Sequence, residues 1–218
     1  MTNSESITLK DLRESPRRPG RYLLSLSDGQ QLVVGIAVLA ETGATRAGVS
    51  LGPEVLARLL HEHSITALAD RAVDALARGR RTRRELELRL RRHEATPAQI
   101  REALDRLEAA GLLSDEAVAQ AEASARLRRG EAPARVTQQL RRKGVAGAVV
   151  NRAVADAITD DGFDEMAACR AVAEKRARTL AGDEPVAAAR KLLGFLLRRG
   201  YSGTVARRVV AEVLARLQ

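Results

Sequence analysis

Aromatic side chains are almost absent: the 218 residues hold two Tyr, two Phe and no Trp, 2% of the chain. Proteins that grip single strands stack bases on aromatic rings, so that mode has little to work with here. A lone cysteine, Cys169, excludes an internal disulfide framework and any multi-cysteine metal cage. No apolar run approaches the roughly 20 residues that span a bilayer. The opening MTNSESITLK has neither the basic nor the apolar region of a secretory signal. A cytoplasmic location is the expectation, with no membrane partner. Catalytic patterns are missing as well. His61-Glu62-His63 lacks the spacing that sets two histidines on one helix face, and reads as exposed helix-end residues. His93 stands alone at a helix end, where it can cap carbonyls. Asp160-Asp161-Gly162-Phe163-Asp164-Glu165 lacks the later ligands of a calcium loop and reads as an acidic helix start, with Phe163 stapled into the core. No Gly-rich loop ends in Gly-Lys-Ser/Thr, so no nucleotide site is visible. The expectation is a protein with no catalytic residues, no cofactor and no metal.

What the chain has in excess is arginine. Of 37 basic residues 33 are Arg, and Lys10, Lys143, Lys175 and Lys191 are the rest; 28 acids leave a formal charge of +9. Such a balance points to a polyanion or an acidic protein surface as partner. The charge is unevenly spread. Residues 1–64 carry seven basic and seven acidic groups, so all of the excess lies in 65–218.

The neutral segment 1–64 reads as a small α+β extension. Pro16 and Pro19 block helix around a turn. Arg21–Ser27 and Gln31–Ile36 alternate as two strands, and Asp28-Gly29 between them suits a type I′ hairpin. Gly43 and Gly48 bracket a second turn, and Pro53 suits the first position of a helix running to about His63.

From residue 65 the chain reads as helix and repeats itself. Leu90-Arg91-Arg92-His93-Glu94-Ala95 is answered 50 residues later by Leu140-Arg141-Arg142-Lys143-Gly144-Val145, and 56 later again by Leu196-Leu197-Arg198-Arg199-Gly200-Tyr201. Repeats of this length mark tandem units that bury their faces on neighbours. The spacing predicts three helices in each of three units, 65–115, 116–163 and 164–218. They are Ile65–Arg78, Arg83–His93 and Pro97–Ala110; then Asp115–Arg129, Pro133–Lys143 and Ala146–Ile158; then Asp164–Leu180, Glu184–Arg199 and Ser202–Leu217. Thr82-Arg83-Arg84-Glu85 is a capping box. Gly144 and Gly200 suit left-handed positions that end the second helices. Glu94 holds the matching place in the first unit, where a looser or shorter turn is expected. Cys169 reads as a small buried residue.

The charge follows the repeat. Arg78–Arg92 holds eight basic residues against two acidic, Arg126–Lys143 seven against one, and Arg190–Arg208 six against none, +6 each time. Each basic element lies on or around a second helix. The candidate binding strip is Arg80, Arg81, Arg84, Arg91, Arg92, Arg128, Arg129, Arg135, Arg141, Arg142, Lys143, Arg198, Arg199, Arg207 and Arg208. A set of merely solvated faces would carry the same charges. Recurrence at equivalent places favours use.

Three stretches carry a family resemblance: Asp70–Glu85 (DRAVDALARGRRTRRE), Ile100–Asp115 (IREALDRLEAAGLLSD) and Gly130–Val145 (GEAPARVTQQLRRKGV). In this order and spacing the chain resembles the RecX regulators of the RecA recombinase over about residues 65–218. It departs from them at Val118, where the family usually has an aromatic, and at Glu94, where it has Gly. The resemblance implies a mainly α fold of three tandem three-helix repeats forming an elongated arc, here with a small N-terminal α+β extension. It implies a monomer when free that binds the groove of the RecA–DNA filament and restrains its extension, ATP hydrolysis and strand exchange, in the regulation of DNA repair. The strip would meet acidic recombinase surface, or single- or double-stranded DNA through its phosphates. The alternative is a helix-turn-helix protein acting on duplex DNA. Against it, Pro97-Ala98-Gln99 and Ala146-Gly147-Ala148 offer little base-reading chemistry where the third helices begin; Arg207 and Arg208 are the exception.

Overall fold

The computed structural model describes residues 7–16 and 18–216; Arg17, in the expected proline turn, and Leu217, at the expected end of the last helix, lie outside the described residues. The chain is mainly helical, with a small antiparallel sheet near its start. It divides into two compact units. One takes Met1–Arg80 and Leu86–Leu113, the other Arg81–Glu85 and Ser114–Gln218.

In the first unit four strands, β1 (Ile7–Glu14), β2 (Arg21–Leu26), β3 (Gln31–Gly35) and β4 (Ser50–Leu51), form a sheet in the order β3-β2-β1-β4. The expected hairpin is present, with Leu24 opposite Leu32 and Tyr22 opposite Val34, but it is the edge of a larger sheet. Its turn is also of another kind. Positive φ occurs at Gly29 (88°) and, among the described residues, at no non-glycine, so Asp28 cannot supply the left-handed residue a type I′ turn needs. Instead Gly29 donates to the Leu26 carbonyl, Leu26 donates to Gln30, and the Asp28 carboxylate accepts from the Gln30 amide. The second strand stops at Gly35, and α1 (Ile36–Thr42) follows. Leu9, Leu24, Leu26, Leu32, Val34, Leu39 and Leu59 close a core over the sheet.

The two helices expected on either side of Ser64 are one helix, α2 (Pro53–Leu76). No Gly or Pro interrupts it after Pro53, which holds the first turn, and the Ser64 hydroxyl donates back to the Leu60 carbonyl. Leu59 on its first half covers the sheet. Ile65, Leu68, Ala69 and Ala72 on its second half meet Ile100, Ala103, Leu104 and Leu107 of α4 (Pro97–Ala109), with Leu86 and Leu90 of α3 (Arg83–Leu90) completing that core. Each fully buried Leu contributes about 2 kcal/mol of transfer free energy. The turn after α3 is short of a left-handed residue, as Glu94 implies, and α3 ends at Leu90.

The second unit holds α5 (Asp115–Leu127), α6 (Pro133–Arg142), α7 (Gly147–Asp160), α8 (Glu165–Ala177), α9 (Pro185–Arg198) and α10 (Gly203–Ala215). Their order and caps follow the repeat. Ser114, Asp164 and Ser202 each accept from amides in the first turn of the helix they open, and Pro133 and Pro185 occupy first-turn positions. Ala119, Ala123, Leu127, Val136, Leu140, Val150 and Val154 form one core, with Phe163 packed against it. Cys169, Ala173, Leu192, Leu196, Tyr201, Val209 and Val213 form another. Among the described residues no helix is long and apolar enough to cross a membrane.

Candidate partner interface

The positions of the basic groups rest on how second helices end. At the end of α6, Lys143 is the C-cap and Gly144 turns left-handed at φ 86°. The Val145 amide donates back to Leu140 (3.2 Å) and the Gly144 amide to Arg141 (3.0 Å), so the orphan carbonyls are satisfied by backbone. The end of α9 repeats this: Gly200 has φ 89°, Tyr201 donates to Leu196 and Gly200 to Leu197.

Each of these glycines receives the start of an earlier second helix. The expected capping box forms, with the Thr82 amide donating to Glu85 Oε2 (2.9 Å) and the Glu85 amide donating to Thr82 Oγ1 (3.2 Å). The Thr82 hydroxyl then donates to the Lys143 carbonyl at 2.7 Å, and the Arg84 side chain lies on Gly144, where a Cβ would stand 2.3 Å from Arg84 Cδ. One repeat on, Gly200 meets the backbone of Arg135, at the start of α6, and the Tyr201 hydroxyl donates to the Gly130 carbonyl at 2.6 Å. Burial pushes the Tyr201 phenol up to about 12, so it stays a donor. The first turn of α3 thus sits on the end of α6, and the first turn of α6 on the end of α9.

These contacts bring strip residues together. Arg84, in the first turn of α3, lies against Gly144 at the α6 end that carries Arg141, Arg142 and Lys143. Arg135 and Arg199 line one cleft with Arg126, Glu131, Gln139 and Tyr201. The residues differ in how far they are committed to the protein. Lys143 is half-buried and pairs with Glu122 and with Glu85 (3.7 Å). Arg128 pairs with Asp161 at 2.9 Å, Arg135 with Glu131 at 3.7 Å, and Arg208 with Glu212 at 3.1 Å. Hydrogen bonds from Arg170 and Arg208 hold the Glu212 carboxyl below the ordinary range. Arg141 donates to Asn151 Oδ1 (3.2 Å). Arg81, Arg84, Arg129, Arg142, Arg198, Arg199 and Arg207 are exposed and have no carboxylate partner among the described residues. In the first unit Arg80 and Arg92 are likewise exposed, and Arg91 pairs with Glu87. This set offers positive charge and guanidinium N–H donors; among the described residues no cluster of His, Cys, Asp or Glu could hold a metal ion.

Two features were not legible as site residues. Lys175 and Arg176, at the end of α8, share a cleft with Arg129, Arg199 and Phe195. The run Lys175-Arg176-Ala177-Arg178 was their signal, but it lies on a first helix. In the first unit, Glu62 is the centre of a network instead of an exposed helix-end residue. It is 6% exposed, takes Arg106 through both oxygens (2.7 and 2.9 Å), and takes Arg58 at 3.3 Å. Its neighbours sit inside α2, with His61 on Glu102 (2.9 Å) and His63 Nδ1 accepting from the Val33 amide (2.9 Å).

Comparison with known proteins follows this architecture. The family model for the RecX third three-helix domain matches residues 164–210. The chain is 34% identical over 145 residues to the Regulatory protein RecX of Halorhodospira halophila, covering 66% of this chain and 87% of that one. It is 36% identical over 135 residues to the Regulatory protein RecX of Streptomyces coelicolor, covering 62% and 70%. Among solved structures, a crystal structure of regulatory protein RecX superposes with a TM-score of 0.75 at 21% identity, covering 93% of this chain and 98% of that one. The crystal structure of RecX from Lactobacillus salivarius gives 0.58 at 22%, covering 69% and 96%.

Proposed function

The chain belongs to the RecX family of regulatory proteins, and from that premise we propose that it binds the filament RecA forms on DNA and restrains filament extension, ATP hydrolysis and strand exchange. The observation that carries this reading is the end-to-start contact of successive second helices. It seats the start of α3 on the end of α6, through Arg84 at Gly144, and the start of α6 on the end of α9, through the backbone of Arg135 at Gly200, so that basic groups follow one another from one second helix to the next within the second unit. A ligand that itself repeats can take such groups one after another. Contacts joined on one chain raise the effective concentration of each that follows, so weak ones suffice. The exposed guanidiniums of Arg84, Arg142, Arg198 and Arg199 are the strip members most available for acidic protein or DNA phosphate.

The test is co-sedimentation with RecA filaments against the same DNA alone, with a titration of RecA ATP hydrolysis beside it. Enrichment on filaments, and inhibition well below one chain per RecA protomer, are expected. Unchanged RecA activity across a wide titration would sink the reading. Direct recognition of duplex DNA has one feature in its favour, the exposed Arg207 on α10, which has no carboxylate partner among the described residues. A sequence-specific footprint on naked duplex is the result that would select it.

A further inference from the structure

A cleft in the second unit gathers four cations and no acid. Arg129 follows α5, Lys175 and Arg176 come from the last turn of α8, and Arg199 caps α9; Val172, Thr179 and Phe195 complete the walls of a space of about 480 Å³. Two of the guanidiniums are held on one ring, Arg199 at 5.0 Å and Arg176 at 5.5 Å from the Phe195 centroid. Their charges are therefore no more than about 10.5 Å apart, a proximity that each ring contact helps to hold.

The cations are not there to finish the helices. The carbonyls at the end of α5 are taken by the amides of Gly130 and Glu131, and those at the end of α9 by Gly200 and Tyr201. None of the four has a carboxylate partner among the described residues, although elsewhere in this unit Arg126, Arg128, Arg135, Lys143, Arg170, Lys191 and Arg208 do. Three helix C-termini would contribute about −0.5 charge each, leaving the cleft strongly positive. Val172 and Phe195 supply low-dielectric walls that concentrate that field.

We propose that this cleft is a phosphate-binding site, filled by the backbone of a single-stranded nucleic acid. Guanidinium forks match phosphate oxygens two at a time, and a tetrahedral group can be reached from three helices at once, whereas a carboxylate offers two oxygens on one edge. A flexible single strand can bend its backbone into such a cleft, whereas a stiff duplex presents its phosphates only along its outer edge. Phe195 serves as the platform for two arginines, so the strand is held by its backbone, in a chain with few rings to stack on. The site does not rest on the RecA reading: either can fail while the other stands.

The experiment uses the full chain without RecA. A labelled oligothymidylate is titrated by fluorescence anisotropy at several salt concentrations against wild type and the K175Q/R176Q variant, two exposed positions outside the strip. The variant should bind about tenfold more weakly, and its salt slope should shrink by about 1.4, the share of two single-strand phosphate contacts. Inorganic phosphate should shift the side-chain Nε–H resonances of Arg176 and Arg199 and compete only at far higher concentration than the oligonucleotide. Phosphate competing as tightly as the strand would overturn the polynucleotide assignment. Wild-type affinity and slope in the variant, with circular dichroism unchanged, would overturn the site. So would equal competition by polyglutamate, which would mark a surface for acidic protein.

Discussion

A Cβ placed on Gly200 would stand 3.0 Å from the backbone nitrogen of Arg135, so the end of α9 and the start of α6 meet with no room for a side chain between them. Gly144 repeats the relationship more tightly, its added Cβ falling 2.5 Å from Arg84 Cβ and 2.3 Å from Cδ. Both glycines also hold left-handed backbone, φ 86° and 89°, which costs an L-residue about 1–2 kcal/mol.

Alanine at either glycine should therefore destabilise beyond the backbone cost, by about 2–3 kcal/mol in denaturant unfolding at Gly144. Removing the opposing side chain separates the two components. Arg84→Gly in the Gly144→Ala background should recover the contact part and leave the backbone part. At Gly200 the opposing atoms are largely backbone, so no truncation of Arg135 should recover the loss. Purely additive effects of the Arg84 and Gly144 changes would show that the two do not touch.

Acid should weaken the first unit through Glu62. Burial pushes its carboxyl up, but hydrogen bonds and charge from Arg106 and then Arg58 outweigh that and hold it below the usual range; Glu102 is lowered in the same way by His61 and Arg106. A carboxyl more acidic in the folded chain contributes stability that is fully present above its unfolded value of about 4.3 and is lost as pH falls through the folded value. Unfolding midpoints should hold from pH 7 to 5 and drop below that. Glu62→Gln should cost about 2 kcal/mol at pH 7, less than for a wholly buried pair because Arg106 is 41% exposed, and should flatten the acid limb. An unaltered acid limb in that variant would place the pH dependence elsewhere.

The helical repeat was legible because its signals are local: apolar spacing, Thr82 with Glu85, and a glycine after each of two second helices. The sheet was legible only in its hairpin. The proline turn returns β1 to β2, but residues 7–14 carry no clear alternation that marks them as a strand, and the pairing of β1 with the two-residue β4 joins residues 7–8 to 50–51, which no local pattern encodes. Glu62 was misread for a related reason. A charge between two histidines looks solvent-facing until Arg106, 44 residues on, is known to stand over it. The strip showed in composition, but which of its members are committed to Glu122, Glu131 or Asp161 is a matter of tertiary contact.

Cys169 is fully buried on α8, and burial with the nearby charge of Glu165 pushes its thiol up to about 11. At pH 8 only about a thousandth of it is the nucleophilic thiolate. A disulfide reagent should leave the native chain unlabelled over hours and label it stoichiometrically in denaturant. Rapid native labelling would mean that α8 opens readily from its core.

Charge reversal on the strip is most informative where the side chain has no structural duty. Lys143 answers Glu122 and Glu85 beneath the end of α6, so reversing it would disturb the seat of α3's first turn along with any interface. Arg141 and Arg142 are exposed; the one gives a single hydrogen bond to Asn151 and the other has no carboxylate partner among the described residues. R141E/R142E should therefore keep wild-type stability, within about 0.5 kcal/mol. It should still bind RecA filaments about tenfold or more weakly, with a flatter salt dependence as charge contacts are lost. The Lys143→Glu variant should lose stability first, and filament binding as a consequence. If R141E/R142E sediments with filaments as wild type does, while Lys143→Glu alone is impaired, the recurring charge at the ends of second helices serves to join the repeats, and the partner must be held by another face.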